Sequence, residues 1–184
     1  MIKCYVVAEG RTDVTVLSAL LAGVVPSETV KIVDAGGQSS AVSLASTFLA
    51  TRSASVALVA DADTTAKQRV GEMQMELEDL LGSVAPRQRF GVFLAVPSLE
   101  VCLFEDQVGL QNEFGCALSV EAIVQSRYEP KAVLEQLLRG RHQRYDSAAQ
   151  ASLLARLDLD RLRQAPVIEA LVQFISRAVH DGSD

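Results

Sequence analysis

The chain has 184 residues, 49% of them apolar and 22% charged, with a net charge of −6 and a pI near 5.0. That length suits one domain, or one domain with a sizeable appendage, and the composition fits a packed globular protein rather than a disordered one. The acidic balance excludes a global basic field of the kind that gathers phosphates, but not a local basic strip working with bound cations.

Trp is absent and aromatics are few, so the core is expected from Val, Leu, Ala and Ile. Cys4, Cys102 and Cys116 are widely spaced with no CxxC pair, and His142 and His180 lie far apart, which speaks against a disulfide framework or a zinc site. The N-terminus carries no basic leader with an apolar stretch behind it, and no apolar run is long enough to cross a bilayer. A cytoplasmic protein without membrane contact is the expectation.

In chain order, the segments 2–8, 30–35, 55–60 and 90–96 are short, apolar and rich in β-branched residues, as strands buried on both faces are. Between them, 12–23, 39–52 and 65–82 repeat apolar residues at three- and four-residue steps and predict amphipathic helices. Thr12 and Ser39 or Ser40 are expected N-caps, and Gly23 and Gly82 expected stops. Beyond Pro97 the strand signal ends. A short helix is expected over 98–106, further helices over 119–127, 130–140, 149–157 and 165–179, and loops over 107–118 and 140–148. The fold class is therefore α/β: a four-stranded, mostly parallel, Rossmann-like sheet flanked by helices, with an α-helical C-terminal extension. Residues 1–104 form the expected catalytic unit, and 105–184 the extension packed on it.

In an open parallel sheet the functional crevice lies beyond the carboxyl ends of the strands. The residues there are Glu9, Gly10 and Asp13, then Asp34, Gly36, Gly37 and Gln38, then Asp61 and Asp63, then Pro97, Ser98 and Glu100. Carboxylates crowded at one sheet edge repel one another unless protons or cations compensate them. Hard oxygen ligands at that density suit Mg2+ or Mn2+, and two such ions about 4 Å apart polarise both the attacking and the leaving oxygen of a phosphodiester. Each piece also has a plainer explanation. Asp13 complements a helix dipole, Asp-Ala-Asp caps a helix well, Gly-Gly makes a tight turn, and Glu100 can point to solvent. Their coincidence at successive strand ends is the argument for chemistry.

Glu9-Gly10 after the first strand ("VVAEGRTD", 6–13) and Asp61-Ala62-Asp63 after the third ("LVADADT", 58–64) resemble the signature of the TOPRIM domain, found in topoisomerases, DnaG-type primases and several nucleases. With "DAGGQSS" (34–40) and "VPSLEVCLF" (96–104), the chain is most similar to the branch of the overcoming-lysogenization-defect (OLD) nucleases and its small stand-alone relatives. The resemblance covers roughly residues 1–104 and implies Mg2+- or Mn2+-dependent phosphodiester hydrolysis on nucleic acid, DNA or RNA, with a role in phage defence. It implies that Glu9 is a ligand or general acid/base, that Asp61 and Asp63 bind one metal, and that Asp13 and Glu100 help with a second. Gly10, Gly36, Gly37 and Ser98 would lie against the substrate, and Lys131 would stabilise charge in the transition state. OLD nucleases carry an ATPase segment ahead of this part. Here the first strand opens the sequence, so a separately encoded ATPase partner is expected, and self-association stays open. Topoisomerase strand transfer needs a tyrosine on another domain, whereas this chain has only Tyr5, Tyr128 and Tyr145; primer synthesis needs a larger body.

Between Arg127 and Arg163 bases outnumber acids, so Arg139, Arg141, His142 and Arg144 are candidates for a phosphate track, with Tyr145 available for stacking. A solvated loop accounts for the same run. Three other classes share some of these features. One is a regulatory or binding module that keeps the acidic pocket but needs a partner. A phospho-acceptor receiver domain fits poorly, because Glu9 and Asp13 are too far apart and a fifth strand is absent. A nucleotide-sugar transferase fits worse, because the chain is too short.

Overall fold

The computed structural model describes residues 1–181. Its core is a sheet of four parallel strands, β1 (Cys4–Ala8), β2 (Val30–Asp34), β3 (Ser55–Asp61) and β4 (Phe90–Ala95), in the order β2-β1-β3-β4. The sheet is wholly parallel, as the near-continuous apolar runs require of strands covered on both sides. Side chains alternate across it. Val6, Ala8, Ala57 and Val59 enter one core, while Val7, Val56 and Leu58 enter the other.

The strand order decides where the helices lie. From β1 the chain steps outward to β2, then back across to β3 and on to β4. With crossovers of one hand, the first helix must take one face and the next two the opposite face. Accordingly α1 (Arg11–Leu21) packs in one core, while α2 (Gln38–Thr51) and α3 (Lys67–Gly82) pack in the other. That leaves the α1 face uncovered behind β3 and β4. The C-terminal half fills it: α9 (Pro166–Asp181) lies against β4, β3 and β1, and Ile168, Leu171, Phe174 and Ile175 share a core with the sheet. The ring of Phe93 on β4 meets that of Phe174 edge-on, with centroids 5.6 Å apart.

Several local expectations are revised. Thr12 lies inside α1; the N-cap is Gly10, whose N–H donates to Asp13 Oδ2 (2.9 Å). The cap of α2 is Gly37 rather than Ser39 or Ser40, and its φ of 133° is one that glycine alone adopts without strain. Residues 107–118, expected as loop, hold α4 (Gln107–Phe114), whose weak apolar periodicity hides it from a pattern search. Residues 98–106 form a 3-10 helix (Leu99–Asp106), followed by α5 (Val120–Gln125), α6 (Pro130–Arg139), α7 (Ser147–Leu154) and an unforeseen one-turn α8 (Leu159–Leu162).

Asp106 holds this half together. Only 4% exposed, it takes the N–H of Gly109 on Oδ1 and of Asp158 on Oδ2, both at 2.9 Å, and Arg161 lies 3.8 Å away. A Cβ at Gly109 would stand 2.0 Å from Asp106 Oδ2 and 2.9 Å from Leu157 Cδ2. Asp106→Ala is expected to cost about 1–3 kcal/mol, because it leaves two partly buried N–H donors without their acceptor. Gly109→Ala should be destabilising in the same sense. Urea unfolding checks both, and wild-type midpoints would show that this joint does not hold the helices.

Candidate active site

The β1 and β3 strands are neighbours, but their chains leave in opposite directions, so a crevice opens at their carboxyl ends. Glu9 follows β1 and Asp61 ends β3. The backbone N–H of Asp61 donates to Glu9 Oε1 (3.1 Å), which joins the two strand ends across the crevice. Gly37 N–H donates to the Glu9 carbonyl (2.6 Å), Gly36 N–H to Asp34 Oδ1 (2.9 Å), and Gln38 Nε2 to the Asp61 carbonyl (3.3 Å). The glycine pair thus ties the β2–α2 turn to the site. On the other side, Leu99 N–H donates to Asp61 Oδ1 (2.9 Å), and Asp63 N–H to the Pro97 carbonyl (2.8 Å). Asp63 has a φ of 51°, a left-handed conformation in which aspartate is enriched.

Burial and mutual repulsion raise the proton affinity of Asp61, Glu9 and Asp13. Asp61 is pushed up to about 8, first by burial and then by the charges of Asp13 and Glu100, against the pull of the Leu99 N–H. Burial also raises Glu9, where the Asp61 N–H opposes it and Asp13 and Asp63 add to it. Asp13 is raised by burial, opposed by its bond from Gly10 N–H, with Glu100 raising and Lys131 lowering it.

Glu100 differs. It is 1% exposed rather than solvated, and both of its oxygens are engaged. Ser98 Oγ donates to Oε2 (2.7 Å), Tyr145 Oη donates to Oε1 (3.2 Å), and Lys131 Nζ stands 3.5 Å from Oε1. Gln150, also 1% exposed, donates to the Tyr145 hydroxyl (2.7 Å) and so orients that phenol toward the carboxylate. Burial lowers the proton affinity of Lys131, but Glu100, Asp61 and Asp13 outweigh it and raise it overall. The lysine therefore stays charged.

A cleft of about 360 Å3 opens here, with Asp61, Asp63, Pro97 and Ser98 on the sheet side and Tyr128 and Lys131 on the helical side. Lys131 is the only base among the lining residues. The expected arginine track lies elsewhere. Arg141 pairs with Glu113 (2.7 Å), as does Arg156, and stacks over Phe114 with its guanidinium 5.4 Å from the ring centroid. It lines a separate cavity of about 130 Å3, while Arg139 and Arg144 are exposed and line neither. Tyr145, expected to stack on bases, is bound to Glu100 instead. Gln38 was placed at this edge by its position after the second strand, but Gln150 gave no advance signal, because an amide side chain acquires meaning only from what it faces.

Among the described residues no three His, Cys, Asp or Glu side chains stand together closely enough to hold one metal ion. The donors are nonetheless all hard oxygens, and neither Asp61 Oδ2 nor Asp13 Oδ1 takes a hydrogen bond. The set fits an ion that takes one or two carboxylates and completes its shell with water and phosphate oxygens, which is the ordinary habit of Mg2+.

Because the folded protein holds the Asp61 proton more tightly than the unfolded chain, stability in chelator should fall as pH rises from about 4 through about 8. Asp61→Asn removes the penalty while still accepting from Leu99. At pH 8.5 it should melt about 5 °C or more above wild type, with the gap closing toward pH 5 and on adding Mg2+ to wild type. Melting curves across that range are the check, and a gap independent of pH would mean that the carboxylate is already compensated.

Among the described residues no helix is long and apolar enough to cross a membrane. Compared with known proteins, the chain matches no family model and aligns significantly with no curated protein.

Proposed function

We propose that the protein hydrolyses phosphodiester bonds of nucleic acid with Mg2+ or Mn2+, in the manner of a TOPRIM nuclease. The observation that carries this reading is Asp61: a half-buried carboxylate facing three other acids, with one oxygen free, on the floor of an open cleft. Such an arrangement is stabilised by a cation and opposed without one.

In this reading Asp61 and Asp63 would hold one ion, with water and phosphate oxygens completing its shell, and Asp13 would approach a second. A divalent cation held there would supply polarisation of the phosphate and a water of lowered pKa. Glu9, with its raised proton affinity, is suited to accept a proton from the attacking water. Lys131 meets the phosphoryl oxygens as negative charge develops on them. Glu100 acts through Lys131: with Tyr145 and Ser98 fixing both its oxygens, it is an anchor for the ammonium rather than a free ligand.

A second reading is favoured by the single base lining the cleft: a regulatory or binding module whose grip on nucleic acid is completed by a partner. Incubation of purified protein with DNA and RNA decides between them. Cleavage should require Mg2+ or Mn2+ and stop with chelator. Glu9→Gln, Asp61→Asn and Lys131→Ala should each slow it on the order of a hundredfold. Metal binding without turnover would support the module, and no metal binding at all would defeat both.

A further inference from the structure

We infer that the cleft takes an unpaired nucleotide, with its base stacked on Tyr128, so that single strands or frayed ends, not intact duplexes, are the substrates. This inference rests on the nuclease reading above and specifies its substrate.

The case begins with where the aromatic rings are used. Tyr5 stacks on Phe48, Phe93 meets Phe174 and Phe114 lies under Arg141; Tyr145 is tied to Glu100, and Phe90 and Phe104 are buried in the core. Tyr128 alone stands open. It is 60% exposed, the one exposed aromatic among the described residues, and its hydroxyl has no partner. It sits on the wall of the cleft whose floor is Asp61 and Asp63, close in sequence to Lys131.

Charge narrows the ligand. Asp61, Asp63, Glu129 and Glu135 line the cleft against Lys131 alone. A duplex presents rows of phosphates, and such a wall repels them once the floor has received one. In a duplex the base faces are also stacked inside and offer nothing to an exposed ring. A single strand offers one phosphate to the floor and, beside it, a free π-face to Tyr128. The cleft's 360 Å3 lies at the small end of ligand pockets, which run roughly 300–1,000 Å3, and suits one nucleotide.

The test uses a short single-stranded DNA carrying 2-aminopurine at each position in turn, with Ca2+ replacing Mg2+ to hold back turnover. Wild type and Tyr128→Phe should quench the probe at one position. Tyr128→Ala should lose the quenching and bind about tenfold more weakly, with an unchanged melting temperature. A hairpin duplex of the same sequence should bind more weakly than the single strand and show no quenching. Equal affinity for the duplex, or a Tyr128→Ala variant that binds and quenches as wild type does, overturns the inference. In the latter case the ring belongs with exposed Val120 and Val124 to a protein-contact surface. Metal-dependent cleavage would survive that result, whereas failure to bind or cut any nucleic acid would remove the nuclease reading too.

Discussion

The crevice depends on one hydrogen bond and on the repulsion that surrounds it. Glu9 Oε1 accepts the N–H of Asp61, so the first carboxylate is anchored to the backbone beneath the second. Burial on both sides of the sheet gives the strand ends little freedom to move apart. The acids are thus held at a separation their charges oppose, and their proton affinities rise in response. A nearby positive charge would relieve strain of this electrostatic kind.

The cationic residues follow a different economy. Of the residues that read in the sequence as a phosphate track, Arg141 is tied into the structure, and arginines outside that track are tied in likewise. Arg163 donates to the carbonyls of Leu20 (2.8 Å) and Ala22 (2.9 Å) at the end of α1. Arg89 does the same for α2, reaching the carbonyls of Leu49, Arg52 and Ala54. Helix ends leave carbonyls without partners, and guanidinium groups satisfy several at once. Arg141 and Arg156 are drawn to Glu113. What remains at the cleft is Lys131, placed by Pro130 at the start of α6 and steered by Glu100.

Much of the architecture was legible in the sequence because its signals are local. Apolar runs of strand length separated by amphipathic stretches have few solutions, and a parallel sheet is the simplest. The order of its strands is not written in those runs; once it is known, the shared hand of the crossovers places the helices. The placement of Glu9 and Asp61 at one sheet edge was legible too, since each stands at the end of a strand, whereas Lys131, on a helix, was suggested only by the family resemblance. The capping of α1 and α2 was not: Thr12 and Ser39 look like better caps than Gly10 and Gly37, but the turn beside Glu9 demands backbone angles that favour glycine at 37. The burial of Glu100 escaped for a related reason. A glutamate in a short helix reads as solvent-facing until Tyr145 and Gln150, distant in the chain, close over it. Long-range polar partnerships leave no periodic trace.

Floor and wall of the cleft differ in how they are held. Asp61 belongs to a strand hydrogen-bonded on both sides and packed on both faces, so its position is shared with the whole core. The opposing run 128–135 is one turn and one helix face, with exposed positions at Tyr128, Glu129, Ala132 and Glu135. Substitutions there leave the acids where they are. The exposed positions of that wall could therefore change in a lineage while the acidic floor is inherited intact, and the two are free to diversify at separate rates.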